Sequence, residues 1–432
     1  MSKIAAENKF LFNNVKEIAE RMDREDPLRA YRDRFHFPEY KKGVPCLYFC
    51  GNSLGLQPKT TKKYINDELE DWAALGVEGH FHARNPWMPY HEFLTKHMAE
   101  LVGAKPEEVV VMNSLTVNLH LMMVSFYRPT PKRYKIMIEA HAFPSDQYAV
   151  KSQLRFHGFD PETALIELQP EPGTAVISTE SIERLIEAEG DSIALIMLGG
   201  VNYYSGQAFE MEKIVSAGHK KGCIVGFDLA HAAGNLSLKL HDWNVDFAVW
   251  CSYKYLNAGP GSVGGAFVHQ RHTKAETLPR FAGWWGHDKK TRFLMPEDFV
   301  PIYGAESWQL SNAPVFAMAA LRASLEIFHE AGMEHLRIKS KKLTGFLELL
   351  IDYIEDERLE IITPRDIHQR GCQLSLRIRG VGKKVFKELS RKGCRVDWRE
   401  PDIIRMAPVP LYNSFIEVLL FTELLGDMLK RM

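Results

Sequence analysis

Between residues 60 and 315 the chain repeats one pattern: a short apolar run, then a longer segment with helical spacing. "EEVVVMN" (107–113) precedes "SLTVNLHLMMVSF", and "RYKIMIEA" (133–140) precedes "HAFPSDQYAVKSQL". "SIALIMLGG" (192–200) leads through a loop into "EKIVSAGHKKG", and "CIVGFD" (223–228) leads into "LAHAAG". Runs that are apolar throughout, rather than alternating, belong to strands buried on both faces. Strands alternating with helices predict a mainly parallel sheet covered by helices on both sides, an α/β domain.

The texture changes after "SNAPVF" (311–316). Helical spacing covers Val315 to about Glu330 and again Met333 to about Asp356. "CQLSLRI" (372–378) then alternates with period two, as a half-exposed strand does. "VFKELSRKG" reads as a helix ending at Gly393, "IIRMAPVP" as a strand, and the segment after "YNS" as a closing helix. The predicted organisation is an N-terminal arm (1–55) at the rim of the site, a large α/β domain (56–315) and a smaller α+β C-terminal domain (316–432).

Charge narrows the partners. Lys+Arg number 54 against Asp+Glu 55, a balance that argues against nucleic acid or an anionic membrane surface. No run reaches the ~20 apolar residues of a membrane span, and "MSKIAAENKFLFNN" lacks the apolar centre of a signal peptide. The six cysteines are too sparse for a disulfide framework, so reduced thiols in the cytoplasm are expected. Cys46 and Cys50 have no second pair at zinc spacing, so no metal site is expected.

The most informative stretch is "VDFAVWCSYKYLNAGPGSVGG", Val245 to Gly265. It is apolar through Val249 and Trp250, places Lys254 between Tyr253 and Tyr255, and continues as a glycine-rich loop. Amines among apolar groups are more readily unprotonated, and an unprotonated amine attacks aldehydes. A lysine at a strand end also simply snorkels into water. Upstream, Asp228 ends "CIVGFD", at the edge where open α/β sheets hold ligands. A carboxylate against a pyridinium nitrogen and a lysine on an aldehyde are what pyridoxal phosphate requires. A helix N-cap is the competing role for Asp228. The phosphate needs N–H donors at a helix start, and "NSLTVNLH" offers Ser114 and Thr116 near such a first turn. "GPGSVGG" lacks the setting of a dinucleotide fingerprint.

Beyond these residues the chain resembles the kynureninase family over nearly its whole length, from "YFCGNSLGLQPK" to "APVPLYNSF". "LTVNLHLM", "PTPKRYKI", "AFPSDQYA", "GCIVGFDLAHAAGN", "LHDWNVDFAVWCSYKYLNAG" and "GWWGH" match in order between them. The resemblance implies the pyridoxal-phosphate-dependent transferase fold (fold type I, the aspartate-aminotransferase kind) and a homodimer with active sites at its interface. The implied reaction is hydrolysis of L-kynurenine or 3-hydroxy-L-kynurenine to an anthranilate and L-alanine, in tryptophan degradation and NAD biosynthesis.

By position in the matching blocks, the resemblance implies pyridoxal 5′-phosphate on Lys254, with Asp228 at its pyridinium nitrogen and His231 close by. It implies Leu115 and Thr116 at the phosphate and Phe143 stacked on the ring, with Pro144, Ser145 and Asp146 completing that segment. Tyr253 is expected at the phosphate and as the acid–base group for hydrating the substrate carbonyl. Trp284 and Asn312 are expected to touch cofactor or substrate, Arg405 to clamp the substrate α-carboxylate, and Ser53 and His80 to line the substrate pocket. His80 and Asn312 form a polar pair suited to a ring hydroxyl, which favours 3-hydroxykynurenine. The chain departs from the family pattern at three places: Gly199 replaces a common Ser or Thr, Asn202 a common His, and Trp285 a Phe.

Two other functions stand beside this one. A cysteine desulfurase-like lyase needs a mobile reactive cysteine on an exposed loop. Here Cys223 and Cys251 sit in apolar runs, and Cys372 and Cys394 beside strand patterns. A non-catalytic pyridoxal-phosphate-binding regulator would bring a DNA-reading module, for which neither terminus has the length or basic charge.

Overall fold

The structure is a computed structural model that describes residues 3–273 and 278–432, with side chains from Asn14 onward. Its central sheet comprises β1 (Val109–Val111), β2 (Lys135–Glu139), β3 (Leu165–Leu168), β4 (Ile193–Gly199), β5 (Ile224–Asp228), β6 (Phe247–Trp250) and β7 (Gly265–Val268). Their spatial order is β1-β7-β6-β5-β4-β2-β3. Neighbours run parallel except β7, which is antiparallel to both β1 and β6.

Helices of ten residues or more are α1 (Lys3–Arg24), α2 (Thr61–Leu75), α3 (Glu92–Val102), α4 (Leu115–Phe126), α5 (Pro144–Phe156), α6 (Thr179–Glu189), α7 (Met211–Lys220), α8 (Val315–Ala331), α9 (Met333–Asp352), α10 (Gly382–Arg391) and α11 (Phe415–Leu429). The sheet's apolar runs serve two cores. Val109, Val111, Ile196, Phe227, Ala248 and Phe267 join Leu321 and Leu325 of α8 on one face. Val110, Ile138, Met197, Val249 and Ala266 join Leu119 and Met122 of α4 and Val150 and Leu154 of α5 on the other. Successive strand residues point to opposite faces, so burying both faces demands apolar residues at every position.

One expected helix is missing. "LAHAAG" forms turns rather than a helix after β5. Gly234, at φ +76°, ends the coil in the left-handed region, and a Cβ there would lie 2.7 Å from Leu256 Cδ2.

The C-terminal sheet is antiparallel, β8 (Leu359–Ile361), β9 (Leu374–Ile378), β10 (Asp397–Arg399) and β11 (Ile403–Met406), in the order β8-β9-β11-β10. Strand β9 differs from the half-exposed strand its alternation predicts: only Arg377 is partly exposed. Leu374, Leu376 and Ile378 pack with α9 and α11. The polar position between them, Ser375, is buried because its hydroxyl donates to the Tyr204 carbonyl at 2.6 Å and its N–H to Thr363 Oγ1 at 2.8 Å. The face expected to meet water meets the loop after β4 instead.

Residues 14–57 touch both cores. Ala19 and Phe49 belong to the C-terminal core, Phe35 and Leu56 to the large one. Leu47–Tyr48 pairs in parallel with Cys394–Arg395, and Cys50 bridges Ala407. Among the described residues no helix is long and apolar enough to cross a membrane.

Candidate active site

The carboxyl ends of β2, β4 and β5 and the turn after β6 bring Glu139, Gly199, Asp228, Tyr253 and Lys254 to one cavity. Leu115, Thr116, Phe143, Ser145, Asp146, Tyr203 and His231 complete its wall. This is the edge at which open α/β sheets bind ligands, because helix starts and strand ends converge there.

Lys254 Nζ lies 3.0 Å from His231 Nε2 and 5.8 Å from the Phe143 ring centroid. Burial, then the Lys254 charge, holds the His231 imidazole well below its ordinary value, so the ring is neutral. With Nε2 accepting from the lysine, the ring proton sits on Nδ1, which has no partner. Asp228 Oδ1 accepts the Ala230 N–H at 2.6 Å. Its carboxyl also hydrogen-bonds that of Asp146, and burial raises both, Asp146 the further. Two carboxyls in mutual contact hold one proton between them.

This chemistry fits pyridoxal phosphate. Three buried carboxyls, Glu139, Asp146 and Asp228, face a single lysine, and Asp146 Oδ1 has no partner. Such a site favours a cationic ring N–H. The phosphate end fits too. Helix α4 begins after Ser114, whose side chain makes no capping bond. Thr116 Oγ1 and Ser145 Oγ lie 2.7 Å apart, so two hydroxyls and the first-turn N–H groups face the same opening. A Cβ on Gly264 would lie 2.7 Å from Trp250 O and 3.3 Å from Leu115 N. Only glycine lets the loop after Lys254 close against that helix start.

Tyr253 is pushed up by burial first and by Cys251 next, so it remains a phenol. Its carbonyl accepts the Gly55 N–H at 2.9 Å, and a Cβ on Gly55 would lie 2.3 Å from Lys254 O. The N-terminal segment is thereby pressed onto the lysine turn, two residues from exposed Ser53.

Arg405, on β11, is 1% exposed. Its guanidinium donates to the Tyr203 carbonyl at 2.6 Å and to Asp397 Oδ2, leaving Nε unpaired. Through Tyr203 it stands behind the cavity wall without lining it. Pro144 opens α5 at a position where its missing N–H costs nothing. Ser53, His80, Trp284 and Asn312 do not line this cavity. Trp284 is 41% exposed with its indole N–H on the Arg292 carbonyl at 3.1 Å, and Asn312 is exposed. His80 sits half-buried on the short helix Gly79–His82, 5.5 Å from the Trp87 ring.

Glu139 and Tyr203 are cavity residues that sequence reasoning passed over. Glu139 had a usable signal: like Asp228, it is an acid closing an apolar run. The cysteines offer no exposed nucleophile. Five are buried and Cys50 is half-buried, and burial pushes Cys50 and Cys372 up to about 12.

Similarity to known proteins agrees with this geometry. The family profile "Kynureninase C-terminal domain" matches residues 336–425. The chain is 60% identical over 416 residues to "Kynureninase" of Myxococcus xanthus (strain DK1622), covering 96% of this chain and 98% of that one. It is 58% identical over 412 residues to "Kynureninase" of Koribacter versatilis (strain Ellin345), covering 95% and 97%. Among solved structures, the apo cysteine desulfurase of Thermococcus onnurineus NA1 superposes with TM-score 0.75 at 17% identity, covering 90% of this chain and 95% of that one. A mutant of C-DES, with glycine covalently linked to its PLP cofactor, gives 0.73 at 17%, covering 88% and 96%.

The fold, the cavity and these full-length relatives together define a pyridoxal-5′-phosphate-dependent enzyme of fold type I. The desulfurase likeness stops at the fold. Within that class, the chain belongs to the kynureninase family.

Proposed function

We propose that this enzyme hydrolyses L-kynurenine and 3-hydroxy-L-kynurenine to the corresponding anthranilate and L-alanine, with residues of the Lys254 cavity doing the chemistry. The observation that carries the residue assignment is the convergence of Lys254, Asp228 and His231 with a helix start at one sheet edge. The bound cofactor supplies an electron sink beside the substrate α-carbon. Lys254 would be its attachment point and would serve as the base that moves the proton at that carbon. His231 Nε2, 3.0 Å away, keeps Nζ aimed inward. Asp228, ionised beside the proton-bearing Asp146, holds the ring nitrogen protonated. Leu115, Thr116 and Ser145 receive the phosphate, and Phe143 covers the ring. Tyr253, held as a phenol, is the acid at the substrate's γ-carbonyl when water adds there. Arg405, fixed by Asp397 and Tyr203, binds the α-carboxylate.

The enzyme acts as a cytoplasmic homodimer with the arm, large and small domains divided near residues 55 and 315. Phe281, Trp284, Phe293, Leu294 and Met295 are exposed within one short span. An apolar span of this kind supports a second copy as its cover. The partner's cavity then receives Trp284, Asn312 and His80, and the polar pair His80 and Asn312 favours 3-hydroxykynurenine. Assay of both kynurenines side by side tests the reaction, and failure to turn over either overturns it. Mixing Lys254→Ala subunits with Asn312→Ala subunits tests the shared site: activity returns in mixed dimers, and no recovery in confirmed heterodimers refutes sharing.

A further inference from the structure

Glu139 lines the cavity yet has no part in the account above. It closes β2 beside Gly199, the last residue of β4, which is the register partner of Asp228 on β5. Glu139 is 4% exposed. Both its oxygens look at one donor, the Gly199 N–H, at 3.2 and 3.1 Å. Its own backbone N–H is a second donor to the carboxyl, and no described side chain hydrogen-bonds it. A Cβ on Gly199 would lie 2.8 Å from Glu139 Oε1. The carboxyl therefore stands in the volume that a serine or threonine at 199 would fill. Gly199 and Glu139 are complementary: the missing side chain lets the carboxyl reach the cavity edge where a hydroxyl would otherwise be presented.

The charged and titratable groups around Glu139 come from several elements. Asp228 from β5 opposes its ionisation, Glu139 in turn opposes that of Asp146 from α5, Lys254 from the turn after β6 stands across the same cavity, and His231 is neutral. Burial first, with Asp228 adding to it, pushes Glu139 up to about 7. In the cofactor ring, Asp228 takes the nitrogen, and the remaining polar ring group is the ring oxygen.

We propose that Glu139 is a further cofactor-binding residue: its carboxyl donates to the ring oxygen of bound pyridoxal phosphate the hydrogen bond that a hydroxyl at position 199 would give. A donor at that oxygen stabilises its anionic form. The proton that the ring oxygen shares with the Lys254-linked nitrogen is then held less tightly, so the cofactor's absorbance titrates at lower pH than it would without Glu139.

The test is the pH titration of the bound cofactor's absorbance in the holoenzyme, with no substrate present. Glu139→Ala raises the titration midpoint by about one pH unit, a roughly tenfold change and the size of one hydrogen bond to a charged group. Glu139→Gln retains a donor of the same shape and stays near the unmodified midpoint. Adding Gly199→Ser to Glu139→Ala restores the lower midpoint. An unmoved midpoint in Glu139→Ala overturns the proposal. A downward shift in both Glu139 variants also overturns it, because that is the mark of an ionised carboxylate. The proposal rests on Lys254 and Asp228 holding the cofactor. If that reading is wrong, the unmodified protein shows no titrating band at all, an outcome distinct from a band that titrates but does not respond to Glu139. Thermal melts of each variant confirm that the fold is intact.

Discussion

Replacing Arg405 by lysine separates the clamp from the scaffold. Arg405 is buried and already gives two donors to protein, one to Tyr203 O and one to Asp397. Asp397 is itself largely buried, with 10% of its side chain exposed. Arg405→Leu would leave that carboxylate with the longer contact to Arg399 alone, at 3.3 Å, so a loss of activity would mix lost substrate binding with a destabilised fold. Lysine keeps the charge, and with it the pairing to Asp397, but presents no planar fork to a carboxylate. One charge-assisted hydrogen bond to substrate is lost, about 1.5–3 kcal/mol, or roughly 10- to 100-fold in binding. The bond is present before and during the reaction, so the loss falls on KM more than on kcat. Steady-state kinetics with kynurenine read this directly, and the cofactor's absorbance should be unchanged because Arg405 does not line the cofactor cavity. A KM within about twofold of the unmodified enzyme would refute the reasoning.

Lys254→Ala should abolish the reducible covalent link to the cofactor and all turnover; a link that survives borohydride treatment places the attachment elsewhere. Glu68 accepts from Asn85, Trp87 and Tyr90, each at 2.9 Å. Glu68→Leu strands those donors, so thermal melts should show destabilisation of about 2–4 kcal/mol, and an unchanged melting temperature would mean the segment carrying His80 is held by other contacts. The apoenzyme should lose stability as pH rises. Glu139 goes from 4.5 to about 7 on folding, so its stabilising contribution is whole below about pH 4.5 and is lost as pH climbs through about 7, on the order of 3 kcal/mol. Denaturant melts of the apoenzyme on either side of that window check it, and Glu139→Gln should flatten the slope; equal slopes in both proteins would exclude Glu139 as its source.

Sequence legibility followed the strength of local signals. The parallel strands were readable because double burial writes unbroken apolar runs such as "IALIML", and Asp228 and Lys254 because each closes such a run. Strand β7 was not marked, since its "GAFV" follows so closely on a glycine loop that the loop dominates the pattern. Residue Ser375 looked solvent-facing because alternation records polarity, not what lies opposite; only the tertiary fold puts the Tyr204 carbonyl there. Glu139 was missed for a related reason. The glutamate closing "KIMIE" carries the same signal as Asp228, but a role for it shows only once β4 and β5 are set beside it and Gly199 is seen to make room. Trp284, Asn312 and His80 lie away from the cavity formed by their own chain, a placement that matching motifs do not reveal.

The N-terminal arm has a consequence for how the polypeptide could be divided. Glu39–Lys41 and Val44–Pro45 form a small hairpin whose turn holds Lys42 and Gly43, and every residue from Lys41 to Pro45 is exposed. Upstream of that turn, α1 lies on α11 and Phe35 enters the large core; downstream, Phe49 enters the C-terminal core and Leu56 the large one. Each side of the hairpin is thus anchored independently of the peptide bond joining them. A cut after Lys41 or Lys42 should leave the two pieces associated, which makes this turn a rational junction for expressing the enzyme as complementing fragments or for inserting a reporter.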